Sequence, residues 1–109
     1  MEVFTFKQNL SDMPAIDGIE KILLYALNGE LVGEIPNADG KRGSLQVYNY
    51  ILGGKDGTIG RIEARNAIAQ FAEHSEDAYR NPGKHPNIDR LFAVIQTSKP
   101  LVAEIFYKK

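Results

Sequence analysis

No cysteine occurs among the 109 residues. That absence removes disulfides, thiol nucleophiles and thiolate metal sites together, and leaves packing as the source of stability. An excess of one charge sign is missing too: 13 basic and 14 acidic side chains nearly cancel. The molecule therefore lacks the strong positive field that draws proteins to nucleic acid or anionic membranes, and neither is an expected partner. No segment approaches the roughly 18 to 20 apolar residues that a membrane span needs. Met1 to Leu10 carry no basic run followed by a long apolar one, so a cytoplasmic chain is expected. Repeats, low-complexity tracts and long like-charge blocks are also lacking, which predicts that the whole chain folds.

What is present suits one core. A hydrophobic content of 43% in a chain of this length is enough for a single domain over 1–109 and too little for two. Val3, Phe4, Thr5 and Phe6 are strand formers, and an edge strand is expected over 3–6. From Ile19 an apolar run reaches Asn28-Gly29 and resumes from Glu30 to Ile35, which predicts a hairpin over 19–35 with a two-residue turn. Alternation then places Ile22, Leu24 and Ala26 on one face with Leu31, Gly33 and Ile35. The other face, with Lys21, Leu23, Tyr25, Val32 and Glu34, is mixed.

Ser44 stands where it can cap a helix over 44–52, in which Leu45, Tyr48 and Leu52 recur at helical spacing before Gly53 and Gly54, although the same stretch also alternates. Ala64, Ile68, Phe71, Ala72 and Tyr79 share a stripe, which predicts one long amphipathic helix over 59–80. Asn87 then stands at the expected start of a helix over 87–97, with Asp89 in its first turn. Pro100 precedes a strand over 101–107 that can return to the hairpin. The predicted class is α+β: a small, mostly antiparallel sheet with about three helices on one face.

Chemistry-bearing residues concentrate between Glu73 and Arg90, which holds both histidines of the chain. His74 lies one turn from Asp77, and the turn from Asn81 to Pro86 can bring His85 and Asp89 back towards them. Such a set has the donors to bind a divalent metal or to act as acid and base, yet its spacing matches no zinc signature. The plainer reading is the stronger one. Asp89 answers the helix dipole, His85 lies in a turn, and His74 borders an apolar stripe.

A second candidate is anion binding at Gly40-Lys41-Arg42-Gly43-Ser44, where glycines and two cations precede a helix. Lys55 with Gly57-Thr58, and Gly83-Lys84 followed by Arg90, are weaker versions. None is a phosphate-binding P-loop, since Lys41 is followed by Arg42, Lys55 by Asp56 and Lys84 by His85. Solvated turns explain them more simply. The aromatics fall mostly at core-facing positions rather than on a stacking surface.

Ala72-Glu73-His74, Asp77-Ala78 and the run from Pro82 through His85 to Leu91 together resemble a signature of small bacterial proteins of unassigned function. Gly43-Ser44-Leu45 with Val47-Tyr48 is similar to a second stretch in them. The resemblance implies a bacterial cytoplasmic domain and supplies no activity, cofactor or catalytic residue. The leading expectation is a non-enzymatic interaction or ligand-binding domain, self-associating through the mixed hairpin face or the sheet edges. The alternative is a small metal-dependent enzyme or metal-binding protein using His74, Asp77, His85 and Asp89. A third reading places a small anionic ligand at Lys41 and Arg42.

Overall fold

A computed structural model describes residues 4–109. Its elements run α1 (Phe6–Ser11), β1 (Ile19–Tyr25), β2 (Leu31–Pro36), α2 (Arg42–Leu52), β3 (Gly57–Ile59), α3 (Arg61–Phe71), α4 (Glu73–Arg80), α5 (Pro86–Thr97) and β4 (Leu101–Tyr107). The strands form one antiparallel sheet in the order β2-β1-β4-β3. The α+β class is as expected, and the closing strand sits beside the first one rather than at an edge.

Alternation decides which sheet face is covered. Ile22, Leu24, Ile35, Ile59, Ala103 and Ile105 are buried, as are Leu45, Tyr48, Ala64, Phe71, Ile88, Leu91 and Val94 from the helices. The other face keeps Val32 and Val102 exposed. Part of it is covered by its own side chains. The Lys21 ammonium lies 5.4 Å from the centre of the Phe106 ring, and the Tyr25 hydroxyl donates to Glu104 at 3.3 Å.

The hairpin keeps the expected pairs Ile22 with Ile35 and Leu24 with Gly33. Its turn is longer than the two residues expected. Gly29 N–H donates to the Ala26 carbonyl and Ala26 N–H to that of Glu30, both at 2.9 Å, while Gly29 adopts φ 92°. A residue without Cβ takes that conformation without penalty. The register shifts between Leu24 and Tyr25, so Leu31 is 53% exposed and does not join the covered face.

Four further expectations are corrected. Of the strand expected over 3–6, Val3 lies outside the described residues, Phe4 and Thr5 are irregular, and Phe6 opens α1. Thr5 Oγ1 accepts from Gln8 N–H at 3.2 Å and Gln8 Oε1 accepts from Thr5 N–H at 2.8 Å, a capping box that starts a helix. The helix expected over 44–52 begins at Arg42, with Lys41 at the cap position and no side chain capping it. Ser44 thus lies within the first turn. The helix expected from Asn87 begins one residue earlier, with Pro86 in its first turn, where a missing N–H costs nothing.

The long helix expected over 59–80 is three elements. Ile59 is the last residue of β3, paired with Leu101, and Asp56 Oδ1 accepts from Ile105 N–H at 2.7 Å. The helix then breaks at Ala72, whose φ of 51° and ψ of −119° lie outside the regions open to an L-residue. Ser75 Oγ donates to the Ile68 carbonyl at 2.6 Å, satisfying an acceptor that the break leaves open. The break redirects α4 so that Glu73 Oε1 accepts from Phe6 N–H at 2.8 Å.

Strain of this kind amounts to about 1–3 kcal/mol, against roughly 0.5–1 kcal/mol for the added freedom of glycine in the unfolded chain. Ala72→Gly should therefore stabilise the fold by about 1 kcal/mol in urea denaturation, and Ala72→Val should destabilise it.

Candidate functional site

Two turns, far apart in sequence, are each held by side-chain hydrogen bonds and line the same cavity. The first follows β2. Asn37 Nδ2 donates to the carbonyls of Ile16 and Ile19 at 3.0 and 2.8 Å, and Asn37 Oδ1 accepts from Arg42 Nε at 3.0 Å. With Gly40 at φ 80°, the chain swings round and presents Lys41, Arg42, Gly43 and Ser44 at the start of α2.

The second turn joins α4 to α5 and is organised by two carboxylates. Asp77 takes three donors: His85 Nε2 at 2.7 Å, Lys84 Nζ at 2.9 Å and Asn81 Nδ2 at 2.9 Å. Asp89 Oδ2 accepts from Gly83 N–H at 2.8 Å. Hydrogen bonds from His85 and Lys84 lower the Asp77 pKa from 3.8 to about 2. An ionised carboxylate only accepts, so the contact requires the proton on His85 Nε2 and leaves Nδ1 as the acceptor of the neutral ring.

Between these turns lies an open cavity of about 530 Å³. Its polar side is formed by Lys41, Arg42, Ser44, Lys84, His74 and His85, with Asp39 as the acidic residue at its rim. Its apolar lining comes from the partly exposed Phe6 and Leu10, with the almost wholly buried Phe71 and Ile88 beside them. The Phe6 ring stacks on Phe71 at 5.5 Å between centroids, His74 meets Phe6 edge-on at 4.8 Å, and His85 lies 5.8 Å from His74. Gly43 makes this possible: a Cβ there would stand 2.8 Å from Phe6 Cζ.

The cations are unequally engaged. Arg42 pairs with Asp39 at 2.6 Å and Lys84 with Asp77, whereas Lys41 makes no ion pair among the described residues. The Arg42 and Lys84 side chains are each 60% exposed. Solvent-exposed pairs of this sort are worth about 0–1 kcal/mol and are easily exchanged for a ligand.

Of the residues proposed from sequence, Lys41, Arg42, Ser44, His74, Lys84 and His85 line one cavity, although they were read as two separate candidates. Asp77 stands behind His85, and Asp89 is occupied with the turn. Arg90 lies elsewhere. Its guanidinium sits over Gly33 of β2, where a Cβ would be 2.6 Å from Cζ, and Nη1 donates to Asn87 Oδ1 at 2.9 Å. The Tyr48 hydroxyl donates to the Asn87 carbonyl, and burial raises its pKa despite Arg90 beside it. Among the described residues, no three His, Cys, Asp or Glu side chains gather to hold a metal ion. Lys55, Gly57 and Thr58 do not line this cavity.

Sequence reasoning missed the apolar wall. Phe6 falls in the strand expected over 3–6, and Leu10 belongs to no expected element. The spacing of Thr5 and Gln8 was the available signal, since a Thr followed three residues later by Gln marks a helix start.

Residues 6–105 match the model of a family described as "Uncharacterized protein conserved in bacteria (DUF2322)". No curated protein and no solved structure matches the chain.

The acid limb of stability should report the Asp77 cluster. A carboxylate whose pKa is lower in the folded state stabilises above its unfolded value and loses that contribution as pH falls towards the folded value. Stability measured by denaturation should therefore drop between about pH 4 and pH 2, and the Asp77→Asn variant should lose that part of the slope.

Proposed function

The chain belongs to a family of bacterial proteins that are themselves uncharacterised, and we propose from its cavity that it is a binding domain for a small anionic ligand. One observation carries the reading: Lys41 and Arg42 at the start of α2 line a single cavity together with Lys84 and His85 from the α4 to α5 turn. Ligand cavities of about 300–1,000 Å³ with a few convergent polar groups are the ordinary form of small-molecule sites. This one falls within that range.

The charge balance selects the ligand sign. Lys41, Arg42 and Lys84 are opposed at the cavity by Asp39 and, behind it, by Asp77, which leaves one positive charge before the histidines are counted. An anion completes the set. It would accept from Ser44 Oγ and from Lys41 Nζ, which makes no ion pair among the described residues, and Asp77 keeps the His85 ring in place. The absence of cysteine fits the reducing cytoplasm, where we place the protein; no helix among the described residues is long and apolar enough to cross a membrane.

Thermal melting at fixed ionic strength tests the reading. A ligand at about 100 times its Kd adds about 2.7 kcal/mol of stability, so small sulfates, phosphates or carboxylates should raise Tm beyond a sodium chloride control. The rise should vanish in a Lys41→Ala, Lys84→Ala double variant. No rise with any anion would refute the assignment.

Self-association is the second part of the reading, favoured by Val32 and Val102, which remain exposed on the open sheet face beside Tyr25. Sedimentation should show dimer formation that Val32→Lys with Val102→Lys abolishes; a monomer at all attainable concentrations would remove this part.

A further inference from the structure

Inorganic phosphate or sulfate would engage the cations and leave the apolar lining of the cavity in water. That lining is the more constructed part. α1 contains no fully buried residue, so packing on the core accounts for only part of its position. Polar ties add to it: Glu73 accepts from Phe6 N–H at 2.8 Å, Asn9 Nδ2 donates to the Gln70 carbonyl at 3.0 Å, and Gln46 Nε2 donates to the Leu10 carbonyl at 3.0 Å. The two side chains of α1 that pack on the core, Phe6 and Leu10, also line the cavity. Both keep part of their surface exposed.

We propose, resting on the anion reading above, that the ligand is an amphipathic organic anion: its acidic group lies at Lys41, Arg42 and Lys84, and its apolar body lies against Phe6 and Leu10. The cavity volume of about 530 Å³ accommodates a body of one or two rings as well as the acidic group. Removing the exposed parts of Phe6 and Leu10 from water supplies the driving force, which scales with apolar area covered. The cations supply orientation, since only one end of such a molecule can meet them. Gly43 is the specificity-determining position in the wall, because Phe6 reaches the cavity only across its bare Cα.

Isothermal titration with three probes separates the possibilities: sodium sulfate, 1-naphthalenesulfonate, and neutral 1-naphthalenemethanol. The sulfonate should bind with 1:1 stoichiometry, at least tenfold more tightly than either of the others, and should perturb the ring proton signals of His74 and His85 in NMR spectra. Leu10→Gln should weaken the sulfonate at least fivefold and leave sulfate unchanged, while Lys41→Ala should weaken both anions. Leu10 is only partly buried, so this variant avoids the risk that removing Phe6 undocks α1. Equal affinity for sulfate and sulfonate would overturn the amphipathic assignment while leaving anion binding intact. Equal affinity for the sulfonate and the neutral alcohol would overturn both, and so would failure of every probe to bind.

Discussion

The inner row of the sheet must be kept from water, and the rest of the molecule is arranged around that requirement. Ile22 and Leu24 of β1 lie opposite Ile105 and Ala103 of β4, all of them buried. A sheet face this apolar is stable only under a second layer. Leu45, Tyr48, Ala64, Ala67, Ile88, Leu91 and Val94 of α2, α3 and α5 provide it. Because these helices share one layer, the turns that lead into α2 and α5 can meet at its surface. The cavity forms between them.

The polar parts of the site answer to local hydrogen-bond accounting. Each turn is shaped by half-buried side chains: Asn37 donates to two backbone carbonyls in the first, and in the second Asp77 accepts from Asn81 and Asp89 from the Gly83 N–H. Carboxylates that looked like metal ligands in the sequence serve as fasteners. Asp89 illustrates the point, since its oxygen already accepts the Gly83 N–H, and that bond sets the direction in which Lys84 and His85 leave the turn.

Legibility followed the range of the deciding interaction. The hairpin, β4 and the stripe of α5 were readable because side-chain periodicity is local, and the pairs Ile22 with Ile35 and Leu24 with Gly33 came out as the alternation required. The break at Ala72 was not readable. No glycine or proline marks it, and the contacts around it tie α4 to α1 across most of the sequence. β3 was hidden for the same reason: Gly57 to Ile59 become a strand only because β4 lies alongside. In the site, nearly all of the charged residues were recognised, but their union in one cavity is a tertiary fact. Arg90 misled because a cation beside a turn looks free until the bare backbone of Gly33 is found beneath it.

The strand order has a consequence for how the protein comes into being. β1 and β4 are the two central strands, yet they stand near opposite ends of the sequence, so the middle of the sheet closes the longest loop in the chain. Such closures are entropically late and slow folding. On a ribosome, β1 emerges well before its principal partner β4, which follows it only after residues 26–100. Until then Ile22 and Leu24 face solvent or a chaperone, and only the β1 to β2 hairpin is available to shield them. The native sheet of this domain therefore cannot close until β4 has been made, however early the hairpin forms.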